Sequence, residues 1–139
     1  MRHVKRQAVV VVLLALSLAA CGATIRDNIR KSALVVGEAA LTIDQLERDL
    51  YATGAAGYSA EKHKQAGAAI IVMLTAVRSY ERAAAAWPEA VAMPTTVPQA
   101  MVDALLAIAT VEKIIEGIPG NEKLLANLAK VKLGIGGGQ

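Results

Sequence analysis

The sequence predicts an all-α protein: an antiparallel long helical hairpin plus one or two shorter helices, forming a three- to four-helix bundle. Three observations lead there. Two long stretches repeat apolar residues at alternating spacings of four and three, the period of a helix face. No run alternates β-branched with polar residues, and no Asn-Gly or Asp-Gly pair marks a hairpin turn. Alanine supplies 28 of the 139 residues, which favours helix and lets helix axes approach closely. Hydrophobic residues make up 55% of the chain, far from the composition of a disordered one.

The first element is a leader. Arg2, Lys5 and Arg6 form a basic start, and the thirteen residues Ala8 to Ala20 are apolar except for Ser17. That run suits the apolar region of a signal peptide and is shorter than the ~20 residues a membrane-spanning helix needs. It ends at Leu18-Ala19-Ala20-Cys21.

This ending resembles the lipobox of bacterial lipoproteins: an aliphatic residue, two small residues, then Cys. Small side chains let the backbone enter a protease cleft extended, and the Cys21 thiol is the nucleophile for a diacylglycerol thioether. The resemblance implies cleavage between Ala20 and Cys21, then N-acylation of the new amino group by a fatty acid such as palmitate. No other cofactor is expected. Two or three acyl chains would anchor the chain stably. Gly22, in place of Asp, implies the periplasmic face of the outer membrane in a Gram-negative host.

The leader also accounts for the basic balance. It carries three of the 15 Lys and Arg, leaving 12 against all 12 Asp and Glu. The mature chain is neutral, so a nucleic-acid partner is not expected. A lone Cys excludes an intramolecular disulfide and a thiolate zinc cluster.

The first long helix is expected over 25–53. Ile25, Ile29, Ser32, Val36, Ala39, Ile43, Leu46 and Leu50 form its seam, with Thr24 as cap, Asp27 at the positive helix end and Gly54 as stop. The second spans 60–87, capped by Ser59 and ended by Pro88. Its seam is His63, Ala66, Ile70, Met73, Val77, Tyr80, Ala84 and Trp87. Equal lengths joined by the short segment 54–58 imply an antiparallel hairpin.

After a loop carrying Pro94, Thr96 and Gln99 stand in capping-box relation and Pro98 suits a first turn. A third helix then runs to about Gly117 with Met101, Leu105, Ile108, Val111, Ile115 and Ile118 on one face. Asn121 is expected to cap a short fourth helix bearing Leu124, Leu128 and Val131. The division is 1–20 signal peptide, 21–133 bundle and 134–139 a Gly-rich tail expected to fray.

Neither a catalytic nor a metal site is expected. His63 is the single His beyond the leader, and it reads as a boundary residue with one ring nitrogen bonded locally. Ser32, Ser59 and Ser79 sit in no nucleophile-elbow context. Carboxylate-bridged metal bundles use Glu-x-x-His pairs, which are missing from this sequence. Asp44, Glu47 and Asp49 read as a solvated face, with Asp44 and Arg48 an i,i+4 pair. Gly134 to Gly138 follow a helix instead of preceding one, unlike a phosphate loop. The uncharged segment Ala66 to Val77 spans ~18 Å as a helix, which points to burial in a bundle and not to membrane insertion.

Tyr51, Tyr58 and Trp87 fall at helix ends. They suit partner contacts, where Tyr and Trp are enriched, or capping of the bundle end. The function expected is a lipid-anchored, non-enzymatic interaction or scaffold protein of the bacterial cell envelope. Its partners would be the membrane, an envelope protein, or a second copy through the heptad seams. The hairpin over 24–87, with Ala-Gly-Tyr-Ser at its turn, also resembles small uncharacterised helical lipoproteins of bacterial and phage genomes. That resemblance implies a phage-linked role in envelope lysis or superinfection exclusion, with an outer-membrane spanin as the specific version. A further alternative is a carrier of an apolar ligand such as a lipid, with Met73, Met93 and Met101 lining its site.

Overall fold

The computed structural model describes the backbone of residues 2–135 and the side chains of residues 25–135. It contains four helices: α1 (Arg2–Ala52), α2 (Ala60–Ala86), α3 (Thr96–Ile115) and α4 (Glu122–Gly134). They alternate in direction around a four-helix bundle. α2 packs between α1 and α3, and α4 returns onto α1 with only a light contact to α3. Among the described residues there is no strand, and no helix is long and apolar enough to cross a membrane. The bundle has a leader end, where α1 enters, and a turn end, where 53–59 joins α1 to α2.

α1 runs unbroken from Arg2, through the expected leader, into the bundle. Thr24 is therefore inside the helix and not its cap. No Pro interrupts residues 2–52, so nothing stops the helix there. The stripe that α1 buries is Arg26, Ile29, Ala33, Val36, Ala40, Ile43, Glu47 and Leu50. Four of these belong to the expected seam. The other expected row, Ile25, Ser32, Ala39 and Leu46, lies one residue off, with Ile25 exposed and the rest half-buried. Ala33 and Ala40 bring neighbouring helices close. Glu47 turns inward onto the buried Tyr58, whereas Arg26 is buried but pairs outward with Asp27 and Glu89.

α2 follows its expected seam, with Ala66, Ile70, Met73, Val77, Tyr80, Ala84 and Trp87 buried and His63 half-buried. The Ser59 hydroxyl accepts from the Lys62 amide at 3.2 Å, the expected cap. The uncharged segment 66–77 supplies much of the main core beside Val36, Ile43, Ile108 and Leu128. A second core cluster at the leader end gathers Ile29, Ala33, Tyr80, Ala84, Trp87, Val97 and Ala100.

α3 begins at Thr96 without the expected capping box: Thr95 precedes it in helical conformation, and no side chain caps it. The Gln99 amide instead donates to Asp103, one turn on, at 3.1 Å. Met101 and Leu105 are half-buried, while Ile108, Val111, Ile115 and Ile118 are buried as expected. Gly117, at φ +73°, ends the helix in the left-handed conformation that Gly adopts without steric cost. Asn121 does not cap α4 with its side chain. Its amide donates to the Ile115 carbonyl at 2.9 Å, tying the start of α4 to the end of α3.

Gly134 and Ile135 belong to the packed structure and not to a tail. The Ser32 hydroxyl donates to the Gly134 carbonyl, and Ile135 packs against both core clusters. A β-carbon at 134 would meet Val36 Cγ2 at 2.6 Å, so only Gly fits. The rest of the expected tail, 136–139, lies outside the described residues.

Candidate functional site

The chemistry-bearing side chains gather at the two ends of the bundle. At the turn end, Glu47 of α1 is 1% exposed. A carboxylate so buried needs charged or hydrogen-bonding partners. It has two. The Tyr58 hydroxyl donates to Glu47 Oε1, and His63 Nδ1 lies 2.7 Å from the same oxygen. The Tyr51 ring stacks on the His63 imidazole, centroids 3.9 Å apart and planes 2° from parallel. Tyr51 also meets the edge of Tyr58 at 5.9 Å.

Helix phase explains the cluster. Glu47 sits on the row of α1 that continues Ala33 and Ala40. Tyr58 and the first turn of α2 then fold back over it. Burial and the bond to Glu47 push the Tyr58 hydroxyl well above its ordinary value, so it stays a donor at neutral pH. The expected solvated face of Asp44, Glu47 and Asp49 is thus corrected at Glu47. Asp44 keeps its surface pair with Arg48, at 2.8 Å. His63 is bonded through one ring nitrogen as expected, though across the helix interface instead of locally.

At the leader end, Arg26 donates to Asp27 Oδ1 at 3.2 Å and to Glu89 Oε1 at 3.1 Å. The bond to Glu89 is the main cause that pushes its guanidinium above the ordinary value. Arg30 donates to the carbonyls of Ala84, Ala85 and Trp87 at 3.0, 2.7 and 2.8 Å. These carbonyls close the end of α2, where Ala84 also accepts from the Trp87 amide, and a cation there suits the helix dipole. The Trp87 indole donates to the Val91 carbonyl at 2.8 Å, pinning the loop after α2.

The three aromatics singled out from sequence therefore part company. Tyr58 is 6% exposed and Trp87 2% exposed, both buried as end caps of the bundle. Only Tyr51 offers an exposed ring edge, at 36%. The sequence carried no sign of the bonds from Arg26 to Glu89 and from Arg30 to the end of α2, which join residues more than fifty positions apart. Met73 is in the main core, Met101 packs at the edge of the second cluster and Met93 is exposed in the loop, so the three line no common site.

Between α2 and α3 an open groove presents Ile71, Val72 and Leu106, all exposed, beside Thr75, Asp103 and Thr110. No group of three or more His, Cys, Asp or Glu side chains suited to a metal ion occurs among the described residues. Cys21 and Ala20 lie within α1, but their side chains are outside the described residues. The chain matches no family model, no curated protein and no solved structure.

Proposed function

We propose that the protein is a lipid-anchored, non-enzymatic interaction or scaffold module of the bacterial cell envelope, held by acyl chains on Cys21. The observation that carries this reading is the sequence Leu18-Ala19-Ala20-Cys21 at the end of an apolar leader with a basic start. Two features of the bundle support it. Cys21 lies one helical turn before Ile25, so an anchor there attaches directly to the folded domain. The α2–α3 groove exposes Ile71, Val72 and Leu106 in a protein whose core is already filled, as a docking face does.

The test is metabolic labelling of the full chain with palmitate, followed by membrane fractionation. Wild type takes up label and sediments with membranes. Cys21→Ser takes up none and leaves its leader uncut. Label uptake or normal cleavage in Cys21→Ser overturns the anchor. For the docking face, a photo-crosslinker at Leu106 should give one discrete envelope adduct that Ile71→Asp abolishes.

A further inference from the structure

The side of α2 opposite its buried seam carries a second helical row. Glu61, Lys64, Ala68, Ile71, Thr75, Arg78 and Arg82 recur at alternating spacings of three and four, and all seven are exposed. The middle of the row is apolar or small, and both ends are charged. Val72 adjoins Ile71, and Leu106 of α3 joins them across the groove. These three side chains are 60%, 65% and 64% exposed. The groove also holds hydroxyls, but it offers none of them to a ligand. Thr75 donates to the Ile71 carbonyl at 2.9 Å, Ser79 to the Thr75 carbonyl at 3.1 Å and Thr110 to the Leu106 carbonyl at 3.0 Å. Each hydroxyl proton is used within its own helix, so the middle of the face suits an apolar occupant.

We propose that this face binds a second copy of the chain, with the two α2 helices antiparallel about a two-fold axis passing between Ile71 and Val72. The axis is placed by the only two large apolar side chains that α2 exposes, which it sets against their own counterparts. The charges then select the occupant. The start of one α2 meets the end of the other, so Glu61 of each copy faces Arg78 and Arg82 of the other. Lys64 reaches the same end. There Asp103 lines the groove, because the loop 87–95 joins the end of α2 to the start of α3. One surface thus supplies both halves of each pair, as an isologous interface requires. A parallel α2 pair would instead set Glu61 on Glu61 and Arg82 on Arg82, which is repulsive.

The charged groups are available for these pairs. Glu61 and Asp103 accept only from the neighbouring Gln65 and Gln99 amides. Lys64, Arg78 and Arg82 hold no ion pair among the described residues. The size also fits. From Glu61 to Arg82 the row is ~32 Å long, and two helices abreast are ~20 Å wide. That gives ~600 Å² per copy, the low end for a specific interface. The inference rests on the docking-face part of the proposed function and names its occupant, while the acyl anchor plays no part in it.

The test is sedimentation equilibrium of the full chain in density-matched detergent at micromolar concentration. Wild type should sediment as a dimer. Ile71→Asp, at an exposed site, should be monomeric with an unchanged thermal melt. Glu61→Arg, and separately the double variant Arg78→Glu with Arg82→Glu, should each raise the dimer Kd several-fold, because each turns exposed attractive pairs into repulsive ones. Mixing these two proteins should recover the wild-type Kd, since the mixed dimer has opposite charges at both ends. A wild type that stays monomeric, or a mixture that binds no tighter than its components alone, overturns the second copy as occupant. The photo-adduct at Leu106 separates that failure from failure of the docking face. An adduct carrying a different protein keeps the face and removes the second copy, whereas the absence of any adduct removes both.

Discussion

His63 Nδ1 lies 2.7 Å from Glu47 Oε1, joining the start of α2 to the last turns of α1. The same oxygen accepts from Tyr58. One buried carboxylate thus holds the hairpin turn closed through two donors. Glu47→Ala leaves the Tyr58 hydroxyl buried without an acceptor, a loss of ~1–3 kcal/mol before any cavity cost. Glu47→Gln keeps an acceptor oxygen and the shape, so its loss should be smaller. Urea unfolding of the two variants checks the order, and equal midpoints for wild type and Glu47→Ala would refute it.

Tyr58 gives a signed pH dependence. Its folded value is raised above the ordinary 10.0. Above pH 10 the unfolded chain releases this proton and the folded chain keeps it, so stability falls as pH rises. Below pH 10 the contribution is complete. Tyr58→Phe should be less stable at neutral pH by ~1 kcal/mol, the net worth of a hydrogen bond. Its deficit should shrink between pH 9 and pH 11. Denaturant midpoints across that window measure it, and a constant deficit would contradict the assignment.

Arg30 serves as a side-chain terminus for α2. Arg30→Met retains the aliphatic stem but leaves the Ala85 and Trp87 carbonyls without this donor, and should lower stability by ~1–3 kcal/mol. Arg30→Lys should recover only part, because an ammonium lacks the planar fork that reaches several oxygens at once. Hydrogen exchange at Ala83 to Trp87 should rise in step with the loss. Unchanged protection there in Arg30→Met would remove this role.

Small residues should respond in opposite senses. A β-carbon at Gly67, inside α2, meets nothing within 4 Å, so Gly67→Ala should stabilise by ~0.5–1 kcal/mol. Ala90→Gly should stabilise by ~1 kcal/mol by removing the left-handed strain. Gly134→Ala should destabilise by ~1–3 kcal/mol through collision with Val36, and Val36→Ala in the same chain should restore part of the loss. Thermal melts of the four proteins decide the signs.

The bundle was readable from spacing where side chains were plainly apolar. The α2 seam from Ala66 to Trp87 is buried as read, because its inward residues are all small or hydrophobic. The α1 seam was read one residue off in half its positions. Leu46 looked like a core residue and Glu47 like a surface one, since an isolated charge on a helix carries no sign of a distant partner. Arg26 hid for the same reason. The caps expected at Thr96 and Asn121 failed because other acceptors, Asp103 one turn on in α3 and the Ile115 carbonyl, take the Gln99 and Asn121 side-chain amides. Ser59 has no such competitor and caps as read. The site at the turn end was half visible: Tyr51, Tyr58 and His63 stood out by type and position, but the carboxylate that organises them did not.

The bond from Ser32 to the Gly134 carbonyl joins residues 102 positions apart. The last turn of α4 is therefore a partner of the first helix. Until it arrives, the α4 side of α1 stays uncovered and the bundle stays open. Contacts of such long separation also slow folding.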